Sequence, residues 1–118
     1  MTLSRLVPLH IHGALEAVLA MLVMAAPFVF GFEAAAMVTS VVIGALMLSV
    51  AFATHATDES ILPISTHAAL DGAFAFVMAV AAVVFAASAE VAATAILAGG
   101  GVALILLTSL TRYSPGRA

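Results

Sequence analysis

Four residues in this sequence are spaced to do chemistry together: His12 with Glu16, and His67 with Asp71. Residues four apart on a helix share a face, so each pair offers one imidazole nitrogen and one carboxylate oxygen side by side. Two such pairs supply the mixed N/O donor set that suits a divalent transition ion such as Zn, Mn or Fe, and His10 or His55 can add a fifth ligand. A second arrangement uses His12 and His67 as the axial ligands of a b-type haem, with Gly13, Ala14, Ala68 and Ala69 leaving room for the macrocycle. The structural alternative makes both pairs plain hydrogen-bonded i,i+4 contacts. His10 and His55 are then solvated helix ends, and Asp58 and Glu59 ordinary loop charges. The His-x-x-x-Glu spacing differs from the Glu-x-x-His of di-iron bundles. No nucleophile constellation, phosphate loop or HExxH motif is present, so an enzyme of the soluble type is not expected. With no Cys, disulfides and thiolate sites are excluded, and Met21, Met24, Met37, Met47 and Met78 read as core filler.

The elements that must carry these residues follow from composition. Of 118 residues, 65% are hydrophobic and 8% charged, whereas a soluble domain is about a quarter charged. Three Arg, no Lys and a net charge of -3 give no basic patch for nucleic acid. Stretches free of Asp, Glu, Lys and Arg run 17–32, 34–57, 72–89 and 91–111, each near the ~20 residues that cross a bilayer. Extended to the nearest breakers, they predict four transmembrane helices, Pro8 to Gly31, Ala34 to His55, Pro63 to Ala87 and Glu90 to Arg112, with Pro8 and Pro63 at first helical positions. The expected fold is an all-α membrane protein, a four-helix bundle in one domain. Short links around Glu33 and at Ser88-Ala89 make two hairpins, joined by the polar loop 56–62. Glu16 lies eight residues past Pro8, about 12 Å along the helix. A carboxylate held there costs ~2.5–3.5 kcal/mol and belongs in the bundle interior. Glu33 and Glu90 fall at the opposite turns and read as interfacial.

An even number of spans puts both termini and the 56–62 loop on one side, with Arg5, Arg112 and Arg117. The positive-inside rule makes that side cytoplasmic, in a bacterial inner membrane. Glu16 interrupts the first apolar run, and that run is longer than a signal-peptide core, so it reads as a retained helix. An internal repeat appears at an offset of 55, laying Pro8, His12, Leu15 and Glu16 over Pro63, His67, Leu70 and Asp71, and pairing Thr39 with Thr94, Phe30 with Phe85 and Gly44 with Gly99. The repeats, about 6–55 and 61–112, are parallel and related by an axis along the membrane normal. In this register Ser40-xxx-Gly44 matches Ala95-xxx-Gly99, a small-xxx-small spacing that brings the second and fourth helices together near the axis.

The segment Ala25-Ala26-Pro27-Phe28-Val29-Phe30-Gly31-Phe32, followed by a second span carrying Gly44, resembles the SPW-repeat family of small bacterial membrane proteins. That family's unit is a helical hairpin with Ser-Pro-Trp near the end of its first helix. Here Ala26-Pro27-Phe28 stands at the motif, and Ala81-Ala82-Val83 in the second repeat departs from it. The resemblance implies the hairpin architecture and no activity. Three functions follow from the residues themselves: a membrane protein that binds a metal ion or haem, a non-catalytic accessory subunit of a larger membrane complex, or an oligomeric proton- or ion-coupled transporter. The lipid bilayer is a partner to all three, and a homo-oligomer is compatible with each.

Overall fold

The structure, a computed structural model, describes residues 7–53 and 64–111. These form four helices, α1 Leu9–Phe30, α2 Ala34–Ala53, α3 Ile64–Ala87 and α4 Val91–Leu110, each long and apolar enough to cross a membrane. The chain is a multi-pass membrane protein. Of the sequence features above, Arg5, His55, Asp58, Glu59, Pro63, Arg112 and Arg117 lie outside the described residues.

The hairpins α1–α2 and α3–α4 pack side by side, α1 against α4 and α2 against α3. The backbones of α1 and α3 never come within 8 Å of each other, Cα to Cα, so whatever joins this diagonal is side chain. Large apolar residues such as Phe28, Val29, Phe76 and Val83 face outward. Water expulsion therefore supplies no drive between the helices, and close packing and interior polar contacts must hold them.

Local chemistry sets the helix ends. Pro8 precedes α1 as its cap, with extended backbone (φ -66°, ψ 154°), one position earlier than a first helical residue, and its carbonyl accepts the His12 N–H at 3.0 Å. Gly31 ends α1 in the left-handed region (φ 67°), and the Phe32 N–H closes on the Pro27 carbonyl, as helix-terminating glycines do. The second turn does the same with Ala89 at φ 60°, where a side chain costs about 1–2 kcal/mol.

Pro27 lies inside α1 and has no N–H to give the carbonyl four residues back. That carbonyl belongs to Val23, and the buried Ser40 hydroxyl of α2 donates to it at 2.6 Å. In a bilayer interior a freed backbone group must find such a partner.

The glycines correct the repeat register. A Cβ on Gly44 would run into Met24 Cγ and lie 2.8 Å from the Ala20 carbonyl, so Gly44 packs on α1 rather than on α4. The residue that does the same in the second hairpin is Gly101, whose Cβ would lie 3.5 Å from the Ala75 carbonyl. Gly99 is exposed, with nothing within 4 Å. Offset 55 therefore relates α1 to α3, and offset 57 relates α2 to α4: Ala36, Ile43, Gly44 and Met47 are buried, and so are Ala93, Gly100, Gly101 and Leu104. The two extra residues precede the second turn, since α1 ends at Phe30 and α3 at Ala87. The pairings of Gly44 with Gly99 and Thr39 with Thr94 fail for this reason, because two residues turn a helix by about 200°.

Candidate metal centre

The inward stripe of α1 runs His12, Glu16, Ala20, Val23, and that of α3 runs His67, Asp71, Ala75, Met78. Both repeat the 4, 4, 3 spacing that keeps one helical face. Each helix thus presents an imidazole, then a carboxylate one turn deeper, then the apolar core. Small alanines follow the carboxylates, and the wide α1–α3 diagonal leaves room for four polar side chains between the backbones.

The structure brings all four together. His12, Glu16 and Asp71 are fully buried and His67 is 1% exposed. The i,i+4 partners are not the closest ones. His12 Nε2 lies 2.8 Å from Asp71 Oδ2 and 3.3 Å from Glu16 Oε1, while His67 Nε2 lies 2.8 Å from Glu16 Oε1 and 3.1 Å from Asp71 Oδ2. Nitrogen and oxygen therefore alternate around a closed four-membered figure, with all four atoms within 4.8 Å of one another. A first-row divalent ion with bonds of about 2.0–2.1 Å sets neighbouring ligand atoms about 3 Å apart, the spacing of the four N–O edges seen here.

A fifth residue orients the site, and sequence reasoning missed it. Thr111, the extended residue that caps α4, donates its hydroxyl to the Leu107 carbonyl. Its one proton committed, Oγ1 accepts from His12 Nδ1–H at 2.7 Å. That bond fixes the tautomer and aims the Nε2 atom at the carboxylates, the role that outer-shell acceptors play for ligating histidines. The Val7 N–H, bonded to the Leu110 carbonyl at 2.8 Å, ties the start of α1 to the end of α4 beside it. A sequence signal for Thr111 exists: Thr54 stands 57 residues before it, although Thr54 lies outside the described residues.

Glu16 contributes an oxygen that hydrogen bonding does not explain. Its Oε2 is buried with no hydrogen-bond partner among the described residues, an arrangement rare enough in folded proteins to require a cause. His10 is exposed on the outside of α1 and does not join the group. The haem arrangement meets an obstacle in the same geometry. The His12 and His67 rings stand edge to face with centroids 5.2 Å apart, and both carboxylates occupy the gap a macrocycle would need. Glu33 and Glu90 meet at the opposite end, where the Glu33 N–H donates to Glu90 Oε1 at 3.3 Å.

Compared with family models, with curated proteins and with solved structures, the chain matches none.

Proposed function

We propose that this protein binds one divalent transition-metal ion, Zn, Mn or Fe, between α1 and α3 through His12, Glu16, His67 and Asp71. The observation that carries the reading is the alternating N, O, N, O figure of buried ligand atoms. Charge supports it, since a dication with two carboxylates and two neutral imidazoles sums to zero, the state that a low-dielectric interior tolerates. The spare Glu16 oxygen then has a use as a second donor to the ion. By the positive-inside rule the reading puts the centre near the cytoplasmic face of a bacterial inner membrane. The resemblance to SPW-repeat proteins is part of the same proposal and concerns architecture alone.

One observation favours a second reading. Contacts of 2.8 Å between imidazole and carboxylate are ideal charge-assisted hydrogen bonds, so two shared protons in place of the metal make the quartet a clasp between hairpins. The chain is then a non-catalytic subunit of a larger membrane complex.

Metal analysis of protein purified without a His tag, with a Co²⁺ titration followed by its d–d absorption, separates the two. The metal reading expects one ion per chain, Co²⁺ d–d bands of a four- or five-coordinate site, and loss of both in His67→Ala. A wild-type protein with no metal above background and no Co²⁺ bands leaves the clasp. A Soret band in the same spectrum reinstates haem.

A further inference from the structure

Between α3 and α4 runs a groove of about 390 Å³ lined by Asp71, Gly72, Phe76, Ile105, Thr108 and Ser109, among others. Asp71 is the quartet member beside it, buried just beneath the groove surface. Resting on the metal reading above, we infer that a divalent cation reaches the centre along this groove, and that the Thr108 hydroxyl replaces one of its waters on the way.

Thr108 is what distinguishes the groove from a lipid-filled seam. Thr39, Thr94 and Thr111 each donate their hydroxyl to the carbonyl four residues back, the usual way a helix satisfies threonine. Thr108 Oγ1 is buried and has no partner among the described residues, which costs about 1–3 kcal/mol. Rotation of the Thr108 side chain brings the hydroxyl from beneath the groove surface into it, where an ion's hydration shell offers the missing bond. At the corresponding positions of the first hairpin, 57 residues earlier, stand Ala51 and Phe52 in place of Thr108 and Ser109, so the hydroxyls line one side of the molecule only. Ser109 is the next-to-last residue of α4, which sets the mouth at the end of the bundle, where hydrated ions are available. The space beside Gly72 is open, since a Cβ there meets nothing within 4 Å, so a larger side chain at this position can narrow the mouth without a clash.

The test is Co²⁺ exchange by stopped-flow absorption on the full chain in nanodiscs. Gly72→Leu adds a side chain to the mouth without a clash and at a position where helix propensity favours it. It is expected to slow association and dissociation together by about tenfold, and Thr108→Val by about threefold, with Kd unchanged in both. Ala17→Leu, the equivalent change on α1, is expected to leave both rates as they are. Wild-type rates in Gly72→Leu and Thr108→Val at normal equilibrium binding overturn the route alone. A Kd that moves in step with dissociation while association holds also overturns it, because the effect is then on the bound state. Absence of Co²⁺ binding by the wild-type protein overturns the metal reading and the route with it.

Discussion

The two hairpins carry the same polar pair on their first helices and solve the packing of their second helices differently. Hairpin one seats Gly44 so closely on α1 that no Cβ fits, whereas Gly101 of hairpin two has ordinary van der Waals room above α3. Hairpin one contains Pro27 and answers it with Ser40; at the matching places hairpin two has Ala82 and Leu97, with no carbonyl to satisfy and no hydroxyl. Hairpin one turns on a glycine and hairpin two on a left-handed alanine. The quartet and the buried stripes are shared between them, and the closeness of the glycine contact, the proline with its serine, and the turn residue differ. The polar centre constrains both halves equally because each half completes the other's pairing, His12 to Asp71 and His67 to Glu16.

The largest effect expected is the one that tests this equality. His12→Ala and His67→Ala each remove one of four ligands and should each weaken metal binding by more than about a hundredfold, beyond what loss of an outer-shell partner costs. A much larger loss in one than in the other breaks the symmetry of the centre. Acidification should act in the same direction on the wild type. Protons compete for the Nε2 and carboxylate atoms that coordinate, so affinity falls as pH falls and recovers on return to neutrality. Metal affinity that is flat with pH contradicts ligation by these side chains.

Thr111→Val sharpens the comparison, because it removes a support for the histidine of hairpin one that is supplied by hairpin two. The side chain keeps its shape, but His12 Nδ1–H loses its acceptor, and metal affinity should fall by about 10–100-fold. A binding isotherm unchanged in Thr111→Val, with the fold intact by circular dichroism, removes Thr111 from the centre. Glycine replacements rank next. Gly44→Ala forces backbone or Met24 to move and should cost about 1–3 kcal/mol. Gly101→Ala should cost less, its nearest contacts being 3.4 and 3.5 Å, and Gly99→Ala should cost nothing or stabilise, since it replaces glycine on an exposed helix face. Thermal melts in one detergent give the order, and equal losses at Gly44 and Gly99 contradict the register of 57.

The sequence makes the helices and the quartet legible for one physical reason: polar groups are so expensive in hydrocarbon that the few present are informative. Nine charged residues in the chain bound the spans, and two carboxylates four residues from histidines stand out against alanine and valine. The pairing within the quartet is not legible, because i,i+4 spacing favours partners on one helix, and the wide α1–α3 diagonal lets each imidazole reach the opposite carboxylate more closely. Nor is the second-helix register. Pro8, His12 and Glu16 pin an offset of 55, but nothing in an Ala-rich stretch marks where two residues enter before Ala89, and that shift carries Gly99 to the outside and Gly101 to the inside. Thr111 escapes for a related reason, since a single threonine at the end of an apolar run looks like any interfacial residue until Thr54 is aligned with it at 57.

A coupling between two residues is the most diagnostic of how the hairpins differ in packing. Ser40 and Pro27 stand in one arrangement: the ring of Pro27 withholds the N–H, the Val23 carbonyl is left without a helical donor, and the Ser40 hydroxyl supplies one at 2.6 Å from the neighbouring helix. Ser40→Ala alone should then cost about 1 kcal/mol, the net worth of a hydrogen bond, plus part of the penalty for a buried carbonyl left unpaired. In a Pro27→Ala background the α1 ladder closes by itself, the restored N–H donating to the Val23 carbonyl, and the same Ser40→Ala change should cost little or nothing. The double-mutant cycle reads this as a coupling energy of about 0.5–2 kcal/mol, in the range found for residues sharing one network. Additive effects would show that Ser40 is retained for its size against Val23 and not for its hydroxyl. The matched experiment in hairpin two is Leu97→Ser, which puts a hydroxyl at the position matching Ser40, while the carbonyl matching that of Val23 belongs to Met78 and has the Ala82 N–H as its partner within α3. It should destabilise whether or not Ala82 is altered to another residue with an N–H, and only Ala82→Pro should make it favourable.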